Sequence, residues 1–411
     1  MPVTRRAFGA GLSALLLGGC SATAQSGGTT RVANAWPTQP NPAFNTWLRG
    51  FRPRAASAGI SESTLARTFG SIGFIPKVIE RDRNQTEFKR SLQDYLAIAA
   101  SDERIAAGQQ KLREVGATLS AIETRYGVPA NVVCAIWGLE SRFGARRGDV
   151  PVLSALATLS FDGRRGVFFE KQLIAALKII QTGDTTQSKL VGSWAGAMGH
   201  TQFIPTSYQA FAVDFTGDGR RDIWSDDPSD ALASAAAYLS KNGWQRGRLW
   251  GLEVRLPSGF NGPFGRGTRQ SVASWNAAGV RTMQGGQIPD NGAGSVIIPA
   301  GRTGPAFLVF RNFRTILTYN NAESYAIGIG HLSDRIVGGA PIQGRFPPDE
   351  FGLSIQDRKD LQLGLTRAGF DTGTPDGVLG SKTETAIKGY QQANGLAVTG
   401  QPSQDLLKRL R

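Results

Sequence analysis

Apolar residues recur every three or four positions from about Phe44 to Gly243, and this pattern restricts the possible fold more than any other feature. The clearest stretch is residues 87–127, EFKRSLQDYLAIAASDERIAAGQQKLREVGATLSAIETRYG, with charged residues between the apolar ones. A strand alternates its side chains between two faces and cannot bury such a pattern, so this part is predicted to be helical. Gly127-Val128-Pro129 ends the pattern, and Asn131 is predicted to cap a further helix over residues 131–142.

A glycine-rich part with little helical period follows, from about Glu253 to Ala300. Its segments LEVRLP and SVIIPA have the composition of short strands, and AFLVFRNFRTILTY leads into a helix at about Ser324–Ile336. The expected fold class is therefore mainly α, in the α+β sense, with a small β-rich insertion.

The last sixty residues have the pattern of a separate small domain. The segment GGAPIQGRFPPDEFG (338–352) has a linker composition, so we place a linker at 339–352 and a domain at 353–411. Three short amphipathic helices joined by glycine-rich turns are predicted there. The expected core residues are Leu361, Leu365, Phe370, Val378, Ala386, Ile387, Tyr390, Leu396, Leu406 and Leu407. So small a core leaves little room for an active site.

The N-terminus, MPVTRRAFGAGLSALLLGGC, has the pattern of an export signal over residues 1–20, too short for a membrane span. Thr4-Arg5-Arg6-Ala7-Phe8 resembles a twin-arginine signal, and Leu17-Gly18-Gly19-Cys20 resembles a lipobox, whose cysteine is lipidated. Simple cleavage near Ala22 or Ala24 is the alternative. Residues 21–43 are predicted to form a tether. We expect a periplasmic, outer-membrane lipoprotein anchored through its lipid.

Charge and cysteine content exclude several classes of function. The net charge of +14 suits a polyanionic partner, yet no basic stripe with interleaved aromatics and no zinc-finger spacing is present, so nucleic acid is not expected. Two cysteines and two histidines provide no obvious zinc or Cys-His catalytic set. If Cys20 is lipidated, Cys134 has no disulfide partner and is expected to be a small core residue.

The octapeptide WGLESRFG (137–144) places an acid, Glu140, at the end of an apolar helix. Burial beside Trp137 and Phe143 would raise the pKa of Glu140, and a protonated carboxylic acid can donate a proton to a glycosidic oxygen. The alternative is an ordinary surface ion pair with Arg142 or Arg146. Glycosidases usually need a second carboxylate, but Asp149, Asp162 and Glu170, which follow, do not have an apolar setting similar to that of Glu140.

Neutral hydrogen-bonding side chains are instead concentrated in GSWAGAMGHTQFIPTSY (192–208), where small residues would let a bulky ligand approach the backbone. A sugar subsite and a plain polar loop are both compatible with this composition.

The segment DFTGDGRRDIWS (214–225) follows much of a calcium-binding loop. Asp214, Thr216 and Asp218 occupy its first, third and fifth positions, and the Arg220 carbonyl its seventh. The twelfth position is a serine, so a bidentate carboxylate must come from Asp226, Asp227 or Asp230. Asp227 could cap the next helix, with Pro228 at its first position, and such a cap is compatible with a metal site. We expect a structural ion, calcium, because all these ligands are oxygens.

Several motifs in order resemble the membrane-bound lytic murein transglycosylase B family over residues 44–338, which we assign as the catalytic domain. They are VIERDRNQTEF (78–88), WGLESRFG, LSALATLSFDGRR (153–165), GSWAGAMGHTQFIPTSY, DFTGDGRRDIW and LTYNNAESYAIGIGHLSDRI (317–336). Residues 353–411 resemble the three-helix peptidoglycan-binding domain of many wall enzymes.

The resemblance implies a lysozyme-like core in which Glu140 is the catalytic acid and then the base. The family cleaves the MurNAc–GlcNAc bond without water and forms a 1,6-anhydro end; no cofactor is needed for this chemistry. Residues matching its substrate cleft are Tyr95, Ser193, Gln202, Tyr319, Asn320 and Tyr325, and Asp230 is the favoured last metal ligand. Trp194 and His200-Thr201 depart from the family pattern, which could alter sugar subsites.

Further expectations concern partners and rival functions. Arg164 and Arg165 are candidates to meet the carboxylates of the wall peptide, with a surface ion pair as the equal alternative. Peptidoglycan, the membrane and other cell-wall enzymes are the expected partners. The rivals are a water-using muramidase and a catalytically idle wall-binding lipoprotein.

Overall fold

A computed structural model describes residues 36–84 and 90–411, and helices dominate it, as predicted from the sequence. Its helices are α1 (Pro42–Ser57), α2 (Glu62–Phe69), α3 (Pro76–Arg83), α4 (Leu92–Ala99), α5 (Asp102–Glu114), α6 (Gly116–Tyr126), α7 (Ala130–Ser141), α8 (Val152–Asp162), α9 (Gly166–Thr182), α10 (Pro205–Phe211), α11 (Ser229–Lys241), α12 (Val272–Ala277), α13 (Arg311–Tyr319), α14 (Glu323–Ile336), α15 (Ile355–Arg367), α16 (Ser381–Ala393) and α17 (Gln404–Leu410). The strands are β1 (Val150–Pro151), β2 (Val191–Gly192), β3 (Gly251–Arg255), β4 (Arg269–Gln270), β5 (Arg281–Thr282), β6 (Gly294–Ile297) and β7 (Ala306–Val309).

The described residues form two compact units that the chain enters more than once. Unit 1 contains 36–84 and Ala107–Arg246, and unit 2 contains 90–106 and Gly247–Arg411. Helix α4 thus belongs with the β-rich insertion and the C-terminal helices, although it precedes α7 in the sequence.

Helix α7 of unit 1 is buried from Val132 to Gly138, because apolar residues occupy all its faces over that stretch. The prediction that Asn131 caps it was wrong. The helix begins at Ala130, Pro129 occupies the N-cap position, and the carboxylate of Glu123 on α6 accepts the backbone N–H of Ala130 at 2.9 Å. A proline suits this boundary, since its fixed φ suits the first turn and it has no N–H to satisfy.

The β-rich insertion of unit 2 is an antiparallel sheet in the order β4-β6-β7-β3-β5. Both predicted strand segments are present, as β3 and β6, and each pairs with β7. Buried residues from the sheet and from α12 form one apolar cluster, which includes Val254, Trp275, Val296, Leu308 and Phe310.

The C-terminal residues form the three predicted helices, α15 to α17, around a core of Leu361, Leu365, Ile387 and Leu407 with their neighbours. Predicted core residues Val378 and Leu396 lie outside this buried cluster. Arg358 on α15 is only 3% exposed and forms an ion pair of 2.7 Å with Asp94 on α4. An unpaired buried charge is costly, so this pair ties the C-terminal helices to α4 within unit 2.

Two segments predicted to be flexible make specific contacts where the structure describes them. Gln39 pairs with Phe74 and α1 begins at Pro42, so ordered structure starts before residue 44. In the linker, the backbone N–H groups of Gln343 and Gly344 donate to the Glu253 carboxylate at 2.8 and 2.7 Å. Composition alone missed both because each depends on a distant partner.

The predicted export signal, lipidation at Cys20 and most of the tether lie outside the described residues. Among the helices of residues 36–84 and 90–411, none has both the length and the apolar character required to span a bilayer. Cys134 is a free, fully buried core residue, as expected, and burial raises the pKa of its thiol to about 12.

Candidate active site

The last turn of α7 carries Glu140, a partly buried residue that follows the buried Trp137 and Gly138. The backbone then turns sharply, because Arg142 and Phe143 have φ values of 50° and 56°. Gln202, at 52°, is the third non-glycine residue with positive φ among those described. Left-handed backbone costs energy for such residues and is concentrated at functional sites. All three occur in the two segments that the sequence analysis selected, 137–144 and 192–208.

His200 links these two segments. Trp137 Nε1 donates to His200 Nδ1 at 3.0 Å, and Ser141 Oγ donates to the His200 carbonyl at 2.6 Å. Because an indole nitrogen can only donate, we assign the proton of the neutral imidazole to Nε2, which donates to the Ser225 carbonyl at 2.7 Å. Burial lowers the pKa of His200, which favours this neutral form.

The imidazole is thus buried, at 3% exposure, and both its nitrogens are used inside the protein. Sequence analysis noted His200 only as a departure from the family pattern that could alter sugar subsites. In the structure it holds the helix of Glu140 against the end of the acidic loop, and no local sequence signal revealed this partnership.

We expect His200→Phe to destabilise the protein at neutral pH, because it keeps a ring but leaves Trp137 Nε1 without an acceptor, while the Ser225 carbonyl keeps Arg147 as a donor. The free energy of unfolding should fall by about 1–3 kcal/mol per unsatisfied buried group, as urea titration would measure.

The loss of stability in His200→Phe should depend on pH. The pKa of His200 is lower in the folded protein than in the unfolded chain, where it is about 6.5. The neutral imidazole therefore stabilises the folded state above pH 6.5, and this stabilisation is lost as the pH falls below that value. The stability gap between wild type and His200→Phe should therefore narrow from pH 7.5 to pH 5. The other histidine is present in both proteins and cancels. A gap that widens on acidification would contradict a neutral His200 in the folded protein.

Polar residues of the 192–208 segment also brace the backbone around the site. Gln202 Nε2 donates to the carbonyls of Arg147 and Gly199, at 3.0 and 2.8 Å. The Ser193 hydroxyl accepts the N–H of Ala197 at 3.0 Å. Both predicted substrate-binding side chains are buried, so they shape the site more than they line its surface.

The three other carboxylates considered beside Glu140 already have partners. Asp149 accepts a hydrogen bond of 2.9 Å from the indole of Trp36. Asp162 forms an ion pair with Arg83 at 2.6 Å, and Glu170 pairs with Arg54 at 2.9 Å. These carboxylates are thus used in contacts within the protein. The role of Glu140 as the catalytic acid stays a prediction from the sequence.

Arg164 and Arg165 both pair with Asp82, whose carboxylate is buried on α3. The ion-pair alternative for these arginines is thus what the structure contains. The substrate-binding role of Arg165 stays a prediction, and it would compete with Asp82 for the guanidinium.

The acidic loop brings three carboxylates together, as the calcium motif requires. One oxygen from each of Asp214, Asp218 and Asp230 lies within 4.8 Å of the others. Asp230 also accepts the backbone N–H groups of Phe215, at 2.8 Å, and Asp222, at 2.9 Å. Burial raises the pKa of Asp230, so its ionised form gains from a nearby cation.

The competing candidates for the last ligand are used elsewhere. Asp226 pairs with Arg147 at 2.8 Å, and Asp227 accepts the backbone N–H of Ser229 at 2.9 Å, at the start of α11. Pro228, rather than Asp227, occupies the N-cap position of that helix. The side-chain set Asp214, Thr216, Asp218 and Asp230, with the Arg220 carbonyl, fits a hard cation that prefers oxygen ligands.

The remaining predicted substrate residues belong to unit 2. Tyr95 on α4 is partly exposed, and its ring lies so close to Gly328 that a Cβ there would be 2.8 Å from it. Tyr319 is fully buried, and its ring stacks with that of Tyr325 at 6.4 Å. A fully buried side chain offers no surface to a ligand, so Tyr319 is suited to support the partly exposed Asn320.

Comparisons with known proteins agree with these features. The family model described as "Transglycosylase SLT domain" matches residues 43–334, and that described as "Putative peptidoglycan binding domain" matches residues 354–410. The Membrane-bound lytic murein transglycosylase B of Escherichia coli K12 is 35% identical over 218 residues, which cover 51% of this chain and 58% of the relative. The chain thus spans less than two thirds of that relative's length.

Two sets of solved structures are also similar. SltB3 from Pseudomonas aeruginosa, in complexes with NAG-NAM-pentapeptide and NAG-anhNAM-pentapeptide, is 45% and 44% identical; each match covers 90% of this chain and 100% of SltB3, with a TM-score of 0.73. The E. coli lytic transglycosylase Slt35 in complex with calcium is 28% identical over 72% of this chain and 93% of its own, with a TM-score of 0.61. The expected lysozyme-like architecture is confirmed, and the chain belongs to the transglycosylase SLT domain family.

Proposed function

We propose that this protein is a lytic murein transglycosylase that cleaves the β-1,4 bond between MurNAc and GlcNAc in peptidoglycan and leaves a 1,6-anhydro-MurNAc end. The observation that carries this proposal is the setting of Glu140. It lies in the last turn of the buried helix α7, just before the left-handed residues Arg142 and Phe143, and that turn is fixed by the bonds of Trp137 and Ser141 to His200.

The reaction needs one group that gives and then takes a proton. Protonated Glu140 donates its proton to the glycosidic oxygen, and the bond from that oxygen to the anomeric carbon of MurNAc breaks. The carboxylate then removes the proton of the muramyl 6-hydroxyl, whose oxygen bonds to the same carbon and closes the anhydro ring. The substrate's acetamido group can stabilise the cationic intermediate, so no second protein carboxylate and no water are required.

The residues of each unit have different roles in this proposal. In unit 1, Trp137, Ser141 and His200 fix the end of α7, and Ser193 and Gln202 brace the facing loop. In unit 2, the partly exposed Tyr95 and Asn320 are the candidates for direct sugar contact, and Tyr319 and Tyr325 support them.

Calcium is the cation we propose for Asp214, Thr216, Asp218, Arg220 and Asp230. Support comes from the three converging carboxylates and from the calcium-bound structure of the similar Slt35. When bound, the ion would offset the mutual repulsion of these carboxylates and order the loop whose end contacts His200. It takes no part in the chemical step.

We also propose that the protein is a periplasmic, outer-membrane lipoprotein with a lipidated Cys20, and that its partners are peptidoglycan and other cell-wall enzymes. The support is the lipobox-like sequence before Cys20 and the similarity to an E. coli relative named as membrane-bound. Conversion of Cys20 to serine should give an unlipidated, soluble protein.

Incubation with purified wall sacculi tests the activity itself. The wild type should release soluble muropeptides without added cofactor, whereas an idle wall-binding protein would sediment with the sacculi and release none. A protein that binds sacculi but releases nothing at any pH between 5 and 8 would contradict the proposal.

Removal of residues 353–411 should weaken cleavage of insoluble wall by about 10-fold or more, because a tethered binding domain raises the effective concentration of substrate. Cleavage of short soluble glycans should change much less. The truncation leaves Asp94 without Arg358, so a truncated chain that also carries Asp94→Asn is the matched control. Equal losses on both substrates, in the control as well, would show that these residues help to build the catalytic site.

A further inference from the structure

The β-rich part of unit 2 carries an unusual excess of arginine. Residues 247–322 contain eight arginines, no lysine and two acidic residues. Arginine differs from lysine in its planar fork of donors, which matches the two oxygens of a carboxylate. Three of these residues, Arg266, Arg269 and Arg314, lie around one shallow pocket, which we call the arginine pocket.

The arginine pocket has an apolar floor and a basic rim. Val309, Phe310 and Phe313 form the floor, and all three are buried. The pocket is shallow and open to solvent, so a ligand group would contact its rim from outside rather than enter a cavity. The buried floor supports the rim, and a carboxylate suits the basic rim itself.

The guanidinium groups of Arg269 and Arg314 have donors that no described residue uses. Arg269 Nε donates to the Ala293 carbonyl at 3.1 Å, and no other acceptor among the described residues meets this side chain. Arg314 is exposed on α13 and has no ion-pair or hydrogen-bond partner in residues 36–84 and 90–411. By contrast, Arg164 and Arg165, the earlier candidates for peptide carboxylates, are both paired with Asp82.

The arginine pocket also lies beside the candidate sugar-binding segment of the same unit. Arg266 donates to Asn321 Oδ1 at 3.1 Å and pairs with Glu323 at 3.0 Å, and Asn321 directly follows Asn320. Arg314 and Tyr319 belong to the same helix, α13. A glycan bound at Asn320 would therefore bring its substituents near this pocket.

We propose that the arginine pocket binds a carboxylate of the peptide stem of peptidoglycan, through Arg269 and Arg314. This inference rests on the proposed function, since it assigns a second contact to the same substrate. The pocket then selects glycan that still carries its stems over glycan from which they have been removed.

The test compares two soluble glycans of equal length, one with peptide stems and one stripped of them, in binding and in cleavage. The double variant Arg269→Gln with Arg314→Gln should lose about 10-fold or more in kcat/KM and affinity on the stem-bearing glycan, the scale of hydrogen bonds to a charged group. The loss on stripped glycan should be at least five times smaller. Stems with amidated carboxylates should behave like stripped glycan.

Arg311→Gln is the matched control, because Arg311 is an exposed arginine of the same helix that does not line the pocket. It should change kcat/KM on both glycans less than twofold. Equal losses of the double variant on both glycans, no loss on stem-bearing glycan, or the same loss in Arg311→Gln would each overturn the inference. If the wild type cleaves neither glycan, the proposed function fails. The affinities of the wild type and the double variant for the two glycans then test the arginine pocket by themselves.

Discussion

Glu140→Gln should abolish release of anhydro-muropeptides while the protein still folds and binds glycan. The substitution keeps the size of the side chain and its ability to hydrogen-bond, so little packing at the end of α7 is lost. An amide, however, can serve neither as an acid of suitable pKa nor as a base. Each proton transfer is worth about 10²–10⁴-fold, and both depend on this one group, so activity should fall close to background.

Glu170→Gln is the matched control for this variant, since it makes the same chemical change in the same unit. Glu170 pairs with Arg54 on the surface, and such a pair contributes only about 0–1 kcal/mol to stability. Circular dichroism, glycan affinity and product release should be measured for both variants. Near-normal release by Glu140→Gln, or an equal loss in Glu170→Gln, would overturn the assignment of the catalytic acid.

Asp230→Ala should cause the largest loss of stability among single changes in the acidic loop. The carboxylate is 3% exposed and accepts backbone N–H groups from Phe215, Thr216 and Asp222. Each donor left unsatisfied costs about 1–3 kcal/mol, so the free energy of unfolding should fall by about 3 kcal/mol or more even without a cation. Calcium should raise the melting temperature of the wild type but not that of this variant.

Two neighbouring changes separate the structural role of Asp230 from a ligand role. Asp218→Ala, at an exposed position of the same cluster, should cost little without a cation yet abolish the calcium-dependent rise. Asp226→Ala removes a carboxylate that pairs with Arg147 and lies outside the cluster, so it should keep that rise. An unchanged calcium response in Asp230→Ala, or a lost response in Asp226→Ala, would contradict the proposed ligand set.

The elements that could be predicted from the sequence are those specified by local pattern. The apolar run of α7, the strand segments of β3 and β6 and the three C-terminal helices each occur where periodicity indicated them. The start of α7 was misplaced by one residue, because an asparagine has the right chemistry for a cap and the pattern cannot show that Pro129 already begins the turn.

Features that depend on distant partners could not be predicted. Composition marked 339–352 as a linker, yet its backbone donates to Glu253 on β3. His200 was noted as an unusual residue, but its role follows from Trp137 and Ser225, which lie far from it in the sequence. The positive φ values of Arg142 and Phe143 were also hidden, since only Gly144 signals a left-handed turn in that stretch.

The residues of the candidate site also fall into those indicated by local pattern and those that depend on packing. The order of the motifs, through the family resemblance, singled out Glu140 as a candidate, and the spacing of the acidic residues indicated the loop whose carboxylates converge. Motif order was not sufficient to distinguish surface residues from supporting ones, and the complete burial of Tyr319 became known only from the packing.

The mass of the muropeptides released from purified sacculi tests the central claim most directly. If Glu140 alone performs both proton transfers, every newly formed MurNAc end should be the 1,6-anhydro form, lighter by one water than a reducing end. Borohydride should leave these ends unchanged. Release of muropeptides with hydrated, reducible MurNAc ends would contradict the account and identify a water-using muramidase instead.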